Sequence, residues 1–224
     1  MDTLVFLDRP TLDADTFTTS DIIAVYAEVE PRAVRQLIRR YTADLEEFGI
    51  LTAEMSKPSK GSKGGRPHRK YHLNENQAAL LITYLGNTKP VRAFKKALVH
   101  QFAAMREELT RRRVLRDVER PKRRTLTDAI QAWPYCNQWS YKALTDLLCK
   151  VATGKSTGQI KRERGVSAGT AGADIYTAEE MGRYQTAESQ VIALLSLGLP
   201  YDQIKAAMNG QGIQITLPAR EVTR

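Results

Sequence analysis

PRAVRQLIRRYTADLEEF, residues 31–48, has the spacing of a helix that packs through one face. Its apolar residues recur at intervals of three and four and form the predicted buried stripe: Val34, Leu37, Ile38 and Tyr41. Pro31 suits the first turn, where its missing N–H would have no partner, and Gly49 is expected to end the helix. The stretch therefore predicts an amphipathic helix whose other faces carry arginines.

The segments around this helix predict a winged helix-turn-helix. Thr19 or Ser20 can cap a preceding helix through DIIAVYAEV (21–29). After Gly49 come two strand-like segments, ILTAEM (50–55) and RKYHL (69–73), joined by a Gly/Ser/Lys tip. The order helix, turn, helix, hairpin predicts a mainly α fold with a small β-hairpin: a winged helix-turn-helix N-terminal domain followed by an all-α C-terminal domain.

The positive charge is unevenly distributed. The net charge is +9, yet residues 1–55 hold eleven acids against five arginines. Residues 56–72 hold six basic residues and no acidic one, and residues 111–124 hold eight basic residues against two acidic ones. Two concentrated basic blocks are the footprint expected of phosphate contact, although each could also be an ordinary solvated loop or helix face.

In a winged helix-turn-helix, the second helix enters the major groove and the hairpin reaches the adjacent backbone. Arg32, Arg35 and Gln36, in the N-terminal half of that helix, are predicted to read bases. Arg39 and Arg40, further along, are predicted to contact phosphates. The hairpin adds these predicted contacts: Lys57, Lys60, Lys63, Arg66, Arg69 and Lys70.

The hairpin tip reads KGGRP, residues 63–67. A Gly-Arg-Pro core is narrow and extended, so Arg66 could enter an electronegative A·T-rich minor groove. The tip resembles the AT-hook pattern, except that His68 stands where that pattern has a basic residue. The alternative is that the glycines and Pro67 simply turn the hairpin.

The rest of the chain predicts a second, helical domain. Pro90 opens a long helix whose apolar stripe could pack within one chain or form the seam of a homodimer: Val91, Phe94, Leu98, Phe102, Met105 and Leu109. Pro121 is expected to end any helix there. The predicted divisions are a DNA-binding domain (1–116), a basic linker (117–124), a helical domain (125–208) and a flexible tail (209–224).

The segments of the sequence that could suggest an enzyme or a metal site lack residues that such sites need. TGKST (153–157) shares the end of a phosphate-binding P-loop, but Cys149 stands where that motif needs glycine. The only histidines are His68, His72 and His100, without the further ligands that a metal site needs. We therefore expect a protein that is not an enzyme and has no cofactor or metal. With no signal-peptide pattern and no apolar run long enough for a membrane span, we expect a cytoplasmic location in a bacterial host.

Several motifs follow one another in the order of a known family. They are TSDIIA (19–24), RQLIR (35–39), GRPHRKYHL (65–73), LLITYLG (80–86) and FKKALVHQFAAM (94–105). Together they resemble the phage regulatory protein Rha family over about residues 17–112, with a departure at Asn76 and Gln77, where the family tends to have an acidic residue and glycine. Further motifs, including TLTDAI (125–130) and GLPYDQIK (198–205), are similar to the tail domain of phage antirepressors.

The resemblance implies a temperate-phage or prophage regulator of the lysis–lysogeny decision. It leaves two functions open. One is transcription regulation through binding of double-stranded DNA, and the other is antirepression through binding of a phage repressor protein by the C-terminal domain. One domain could serve each.

Overall fold

The computed structural model describes residues 3–56 and 67–212. These residues form helices and one antiparallel sheet in the order β1-β2-β4-β3, which confirms the mainly α fold class. The strands are β1 Phe6–Leu7, β2 Thr16–Thr19, β3 Thr52–Ser56 and β4 His68–Asn74. The helices are α1 Ser20–Tyr26, α2 Pro31–Arg40, α3 Thr42–Glu46, α4 Glu75–Tyr84, α5 Lys89–Ala132, α6 Ser140–Thr153, α7 Thr157–Glu163, α8 Ala178–Ser196 and α9 Tyr201–Met208. The chain divides into two compact units, Met1–Thr110 and Arg111–Arg224.

The two helices of the predicted helix-turn-helix begin where the sequence predicts, but both end earlier. The Thr19 hydroxyl caps α1 by accepting from the Ile22 N–H at 3.3 Å, and Pro31 opens α2. The prediction of one helix over residues 31–48 is wrong, because α2 ends at Arg40 and a separate α3 follows. Tyr41 lies at the break with φ −112° and ψ 30°, and its ring stacks on Tyr84 at 4.2 Å. The residue that separates α2 from α3 is therefore in contact with α4, a helix from a distant part of the sequence.

The predicted hairpin is present as β3 and β4, which pair antiparallel from Thr52 opposite His72 to Ser56 opposite His68. The sheet is larger than predicted, because β2 pairs with the other edge of β4 and β1 pairs with β2. Within β4, Tyr71 and Leu73 are buried in the core. β4 is therefore a central strand of the sheet, paired with β2 on one edge and with β3 on the other.

Asn74 and Gln77 join the hairpin to the end of α3. They form the capping box of α4, in which each side chain accepts from the backbone N–H of the other residue. The buried amide of Gln77 also donates to the carbonyls of Leu45 at 3.2 Å and Gly49 at 2.8 Å. Gln77, one of the two residues at which the sequence departs from the family pattern, therefore makes structural contacts.

The first part of α5 completes the core of the N-terminal unit. Val91, Phe94, Leu98 and Phe102 are all buried there, against the side chains of α1, α2, α4 and β4. Packing within one chain therefore accounts for this part of the predicted stripe.

The C-terminal unit has its own core, made by the end of α5 together with α6, α7, α8 and α9. α6 ends at Gly154 in the left-handed conformation (φ 74°), and Thr177 forms a capping box with Glu180 at the start of α8. The buried indole of Trp133 donates to the Leu199 carbonyl at 2.9 Å. α7 was not predicted.

The expectation that Pro121 ends a helix is wrong, and residues 117–124 lie within α5 instead of forming a loop. The reason is that this segment packs in the C-terminal unit. Glu119 is buried, and Arg123 donates to the Tyr184 hydroxyl at 3.0 Å and to the Thr145 hydroxyl at 2.9 Å. These contacts, on both sides of the proline, hold the helix despite the N–H that it lacks.

Candidate nucleic-acid interface

The exposed surface of α2 carries four of the predicted DNA-contacting residues on one face: Arg32, Gln36, Arg39 and Arg40. Successive members of this set are four, three and one positions apart, a spacing that places them on one side of a helix. The buried Val34 and Ile38 lie on the opposite side. No member pairs with a carboxylate within residues 3–56 and 67–212. Arg39 donates to the Arg35 carbonyl at 3.3 Å, and Arg40 lies 5.6 Å from the centre of the Tyr41 ring. We call these four residues the α2 stripe.

Arg35 differs from the α2 stripe because it is turned toward the protein. Its side chain is 20% exposed, and its Nη1 lies 3.9 Å from Asp21 Oδ1 in α1. The same carboxylate lies 3.4 Å from His68 Nε2 in β4. Asp21 therefore places negative charge between α2 and the base of the hairpin, and it attracts Arg35 away from the exposed face.

The two described cations of the hairpin lie on opposite faces of β4. Arg69 is exposed and shares the face of Tyr71 and Leu73, because alternate residues of a strand point the same way. Lys70 lies on the other face, where its Nζ contacts Glu54 Oε1 at 3.0 Å. Hydrogen bonds from Lys70 and His72 lower the pKa of Glu54. Lys70 is therefore partly neutralised, whereas Arg69 has no carboxylate partner in the part of the chain that the structure describes.

The remaining hairpin predictions fall outside the described residues. They are Lys57, Lys60, Lys63 and Arg66, together with most of the tip from residue 63 to residue 67. Their proposed phosphate and minor-groove contacts stay predictions.

The second basic block, residues 111–124, is in part internal to the C-terminal unit. Arg116 pairs with Glu119 and with Asp174, the latter at 2.7 Å, and Arg123 is bonded to two hydroxyl groups. The interpretation of this block as a phosphate footprint missed these contacts, because all the partners except Glu119 lie far along the chain.

Two features of the C-terminal unit carried no sequence signal. One is Glu188, a buried carboxylate whose oxygens have no hydrogen-bond partner within the described part of the chain. The other is a pair of exposed aromatic residues in the loop before α6, Tyr135 and Trp139. The P-loop-like segment follows a helix, α6, whereas a P-loop follows a strand.

Within residues 3–56 and 67–212, no three His, Cys, Asp or Glu side chains gather in a way that could hold a metal ion. None of the helices described there is both long and apolar enough to cross a membrane.

The comparison with protein families agrees with the motif order. Residues 18–107 match the model of the phage regulatory protein Rha, and this match covers α1 to α4, both hairpin strands and the start of α5. No curated protein matches the chain. Residues 18–107 of this chain are therefore similar to the phage regulatory protein Rha family.

Proposed function

We propose that the N-terminal unit binds double-stranded DNA, with α2 in the major groove and the β3–β4 hairpin against the neighbouring backbone. The α2 stripe is the observation that carries this proposal. Three arginines and a glutamine share one exposed face, and no carboxylate within the described residues neutralises them. Arginine and glutamine are side chains that hydrogen-bond to base edges and to phosphate oxygens.

The placement of each side chain refines its role. Arg32 and Gln36 lie in the first half of α2 and are assigned to base edges, whereas Arg39 and Arg40 are assigned to phosphates. Arg35 is assigned to positioning, because it is held near Asp21. In the hairpin, Arg69 is the described cation that we assign to contact with the DNA backbone.

The test is the salt dependence of binding to duplexes that tile the DNA on either side of the gene. Each neutralised phosphate contributes about 0.9 to the slope of log affinity against log salt concentration. The double variant Arg39→Ala/Arg40→Ala should therefore lower the slope by about 1.8. A matched control, Arg92→Ala/Lys96→Ala, removes two exposed cations of α5 and should leave the slope as in the wild type.

An unchanged slope in the α2 variant would remove α2 from the interface. If the control lowers the slope as much as the α2 variant, binding depends on overall charge and not on this helix. The variant Arg32→Ala/Gln36→Ala should instead reduce the preference for the best duplex over a scrambled one. Each base-reading side chain that it removes should reduce this preference by about 1–3 kcal/mol.

A second function, antirepression by binding a phage repressor protein, is supported by a separate observation in the C-terminal unit. Tyr135 is 53% exposed and Trp139 is 65% exposed. Large aromatic side chains are enriched in protein interfaces and often provide most of the binding energy there. Capture of the repressor encoded by the same prophage should be abolished in Tyr135→Ala/Trp139→Ala and retained in Arg39→Ala/Arg40→Ala. Equal capture by wild type and the aromatic variant would exclude this loop.

A further inference from the structure

The C-terminal unit contains an open cavity of about 700 Å³ between α6 and α7. Its wall includes Tyr141, Lys142 and Asp146 from α6, and Thr157, Lys161 and Arg162 from α7. We call it the α6–α7 cavity. Its volume lies within the range of sites that hold small organic ligands. It lies away from α2 and the hairpin in the chain, and an inference drawn from it does not depend on the DNA-binding proposal.

The charge of the α6–α7 cavity is positive and locally unbalanced. Lys161 donates to the Ala168 carbonyl at 2.7 Å, and Arg162 donates to the Gly158 carbonyl at 3.2 Å. Neither these two cations nor Lys142 pairs with a carboxylate in the part of the chain that the structure describes, and Asp146 is the one acid in the wall. Three cations against one acid favour an anionic ligand, and lysine and arginine are the side chains that bind phosphate.

Two neighbouring cations outside the cavity are neutralised. Lys155 pairs with Glu163, and Arg164 pairs with Glu180 at 2.7 Å. The cations of the cavity wall differ from these two neighbours in having no carboxylate partner among the described residues.

Two further groups indicate more than a simple anion. Tyr141 is 39% exposed at the cavity wall, so its ring is accessible for stacking on a planar group. The hydroxyl oxygen of Thr157 is buried, yet it has no hydrogen-bond partner among the described residues. Because this oxygen is closed to solvent, a ligand would become its partner only if the side chain turned toward the cavity. Val166 and Ala168 add apolar surface that a bare phosphate would not use.

We propose that the α6–α7 cavity binds a phosphorylated nucleoside. Lys142, Lys161 and Arg162 hold the phosphate, and Tyr141 stacks on the base. Base stacking on aromatic rings beside a cationic groove is how single strands are bound without sequence preference. The ligand could be a free nucleotide or a nucleotide within single-stranded DNA, since both present the same phosphate and base.

The experiment is isothermal titration calorimetry of the full chain with three probes: dTMP, inorganic phosphate and a short single-stranded oligothymidine. dTMP should bind at least about tenfold more tightly than phosphate, because stacking adds to the phosphate contacts. Tyr141→Ala should weaken dTMP binding about tenfold, and Lys142→Ala should weaken both dTMP and phosphate. All variants replace exposed residues, and circular dichroism checks that their helix content is retained.

Matched controls are Tyr135→Ala, an exposed aromatic residue outside the cavity wall, and Lys150→Ala, an exposed lysine near the end of the same helix as Lys142. Both should bind dTMP as the wild type does. Tighter binding of oligothymidine than of dTMP, with the same variant pattern, supports the proposal and identifies single-stranded DNA as the source.

Any of these results would overturn the proposal: no binding of dTMP, equal affinity for dTMP and phosphate, or a Tyr141→Ala variant that binds like Tyr135→Ala. The variant Arg39→Ala/Arg40→Ala keeps the test independent of the N-terminal unit. If dTMP binding disappears in that variant and is kept in Lys142→Ala, the binding site is on α2 and the proposal fails.

Discussion

Replacing Glu188 by glutamine should stabilise the C-terminal unit above neutral pH. Glu188 is fully buried in α8, and neither carboxylate oxygen has a hydrogen-bond partner within the described residues. Burial, and then the negative charge of Glu119, raises the pKa of Glu188 from 4.5 to about 7. Positive charges on α5 reduce this effect without cancelling it: Arg123, Lys122 and Arg116.

The sign of the pH dependence follows from the two pKa values. In the unfolded chain the carboxyl loses its proton near pH 4.5, whereas in the folded protein it keeps the proton up to about pH 7. Between these values the folded state binds more protons, so the free energy of unfolding falls as the pH rises, and it levels off above about pH 7. A difference of about 2.5 between the pKa values, at roughly 1.4 kcal/mol for each pKa unit, amounts to about 3 kcal/mol.

Glutamine has nearly the shape of a protonated glutamate and carries no charge at any pH. The variant Glu188→Gln should therefore lose this pH dependence, with stability close to the wild type near pH 5 and greater by about 2–3 kcal/mol near pH 8. The assay is urea unfolding followed by tryptophan fluorescence, because both tryptophans, Trp133 and Trp139, lie in the C-terminal unit.

The matched control is Glu179→Gln, an exposed glutamate at the start of the same helix, paired with Arg183 at 2.9 Å. It should keep the pH dependence of the wild type. Parallel pH profiles for the wild type and Glu188→Gln, or a Glu188→Gln variant that is less stable near pH 8, would refute the reasoning.

Two more substitutions test contacts that shape the fold. Gln77→Ala removes the buried amide that bonds to the Leu45 and Gly49 carbonyls and to the Asn74 N–H, so it should lower the free energy of unfolding by about 2–3 kcal/mol in urea denaturation followed by circular dichroism. A decrease below about 0.5 kcal/mol would mean that these bonds contribute little. Pro121→Ala restores an N–H inside α5 and should stabilise the C-terminal unit by about 1–2 kcal/mol, measured by tryptophan fluorescence. Destabilisation by Pro121→Ala would show that the proline ring makes a contact that the helix needs.

Local signals made much of the fold predictable. The cap at Thr19, one of the two candidates that the sequence offered, depends only on a few neighbouring residues. The hairpin was equally readable because its alternating segments flank a run of glycine, serine and lysine. The motif order was sufficient to indicate the Rha family, which the match over residues 18–107 confirms.

What the sequence did not predict depends on distant contacts. The break at Tyr41 accompanies stacking on Tyr84, and the helical path through Pro121 accompanies bonds from Arg123 to Tyr184 and Thr145. Proline rules and periodicity describe only local preference, which tertiary packing can override.

The same limit applies to the candidate site. The sequence placed Arg35 with the base-reading residues, but the structure holds it near Asp21 in a neighbouring helix. It also treated Arg69 and Lys70 alike, although strand alternation puts them on opposite faces and Glu54 neutralises one of them. The α6–α7 cavity was not predicted, although Ser156 and Thr157 of the TGKST segment line it, because its cations come together only when α6 and α7 pack.

The DNA-binding surface that we propose consists of α2 and the hairpin. Amide hydrogen exchange of the full chain, with and without the duplex that it binds best, tests this most directly. We expect slower exchange on DNA binding in peptides that cover α2 and β4. Slower exchange confined to residues 125–208, with α2 and β4 exchanging as in the absence of DNA, would contradict it.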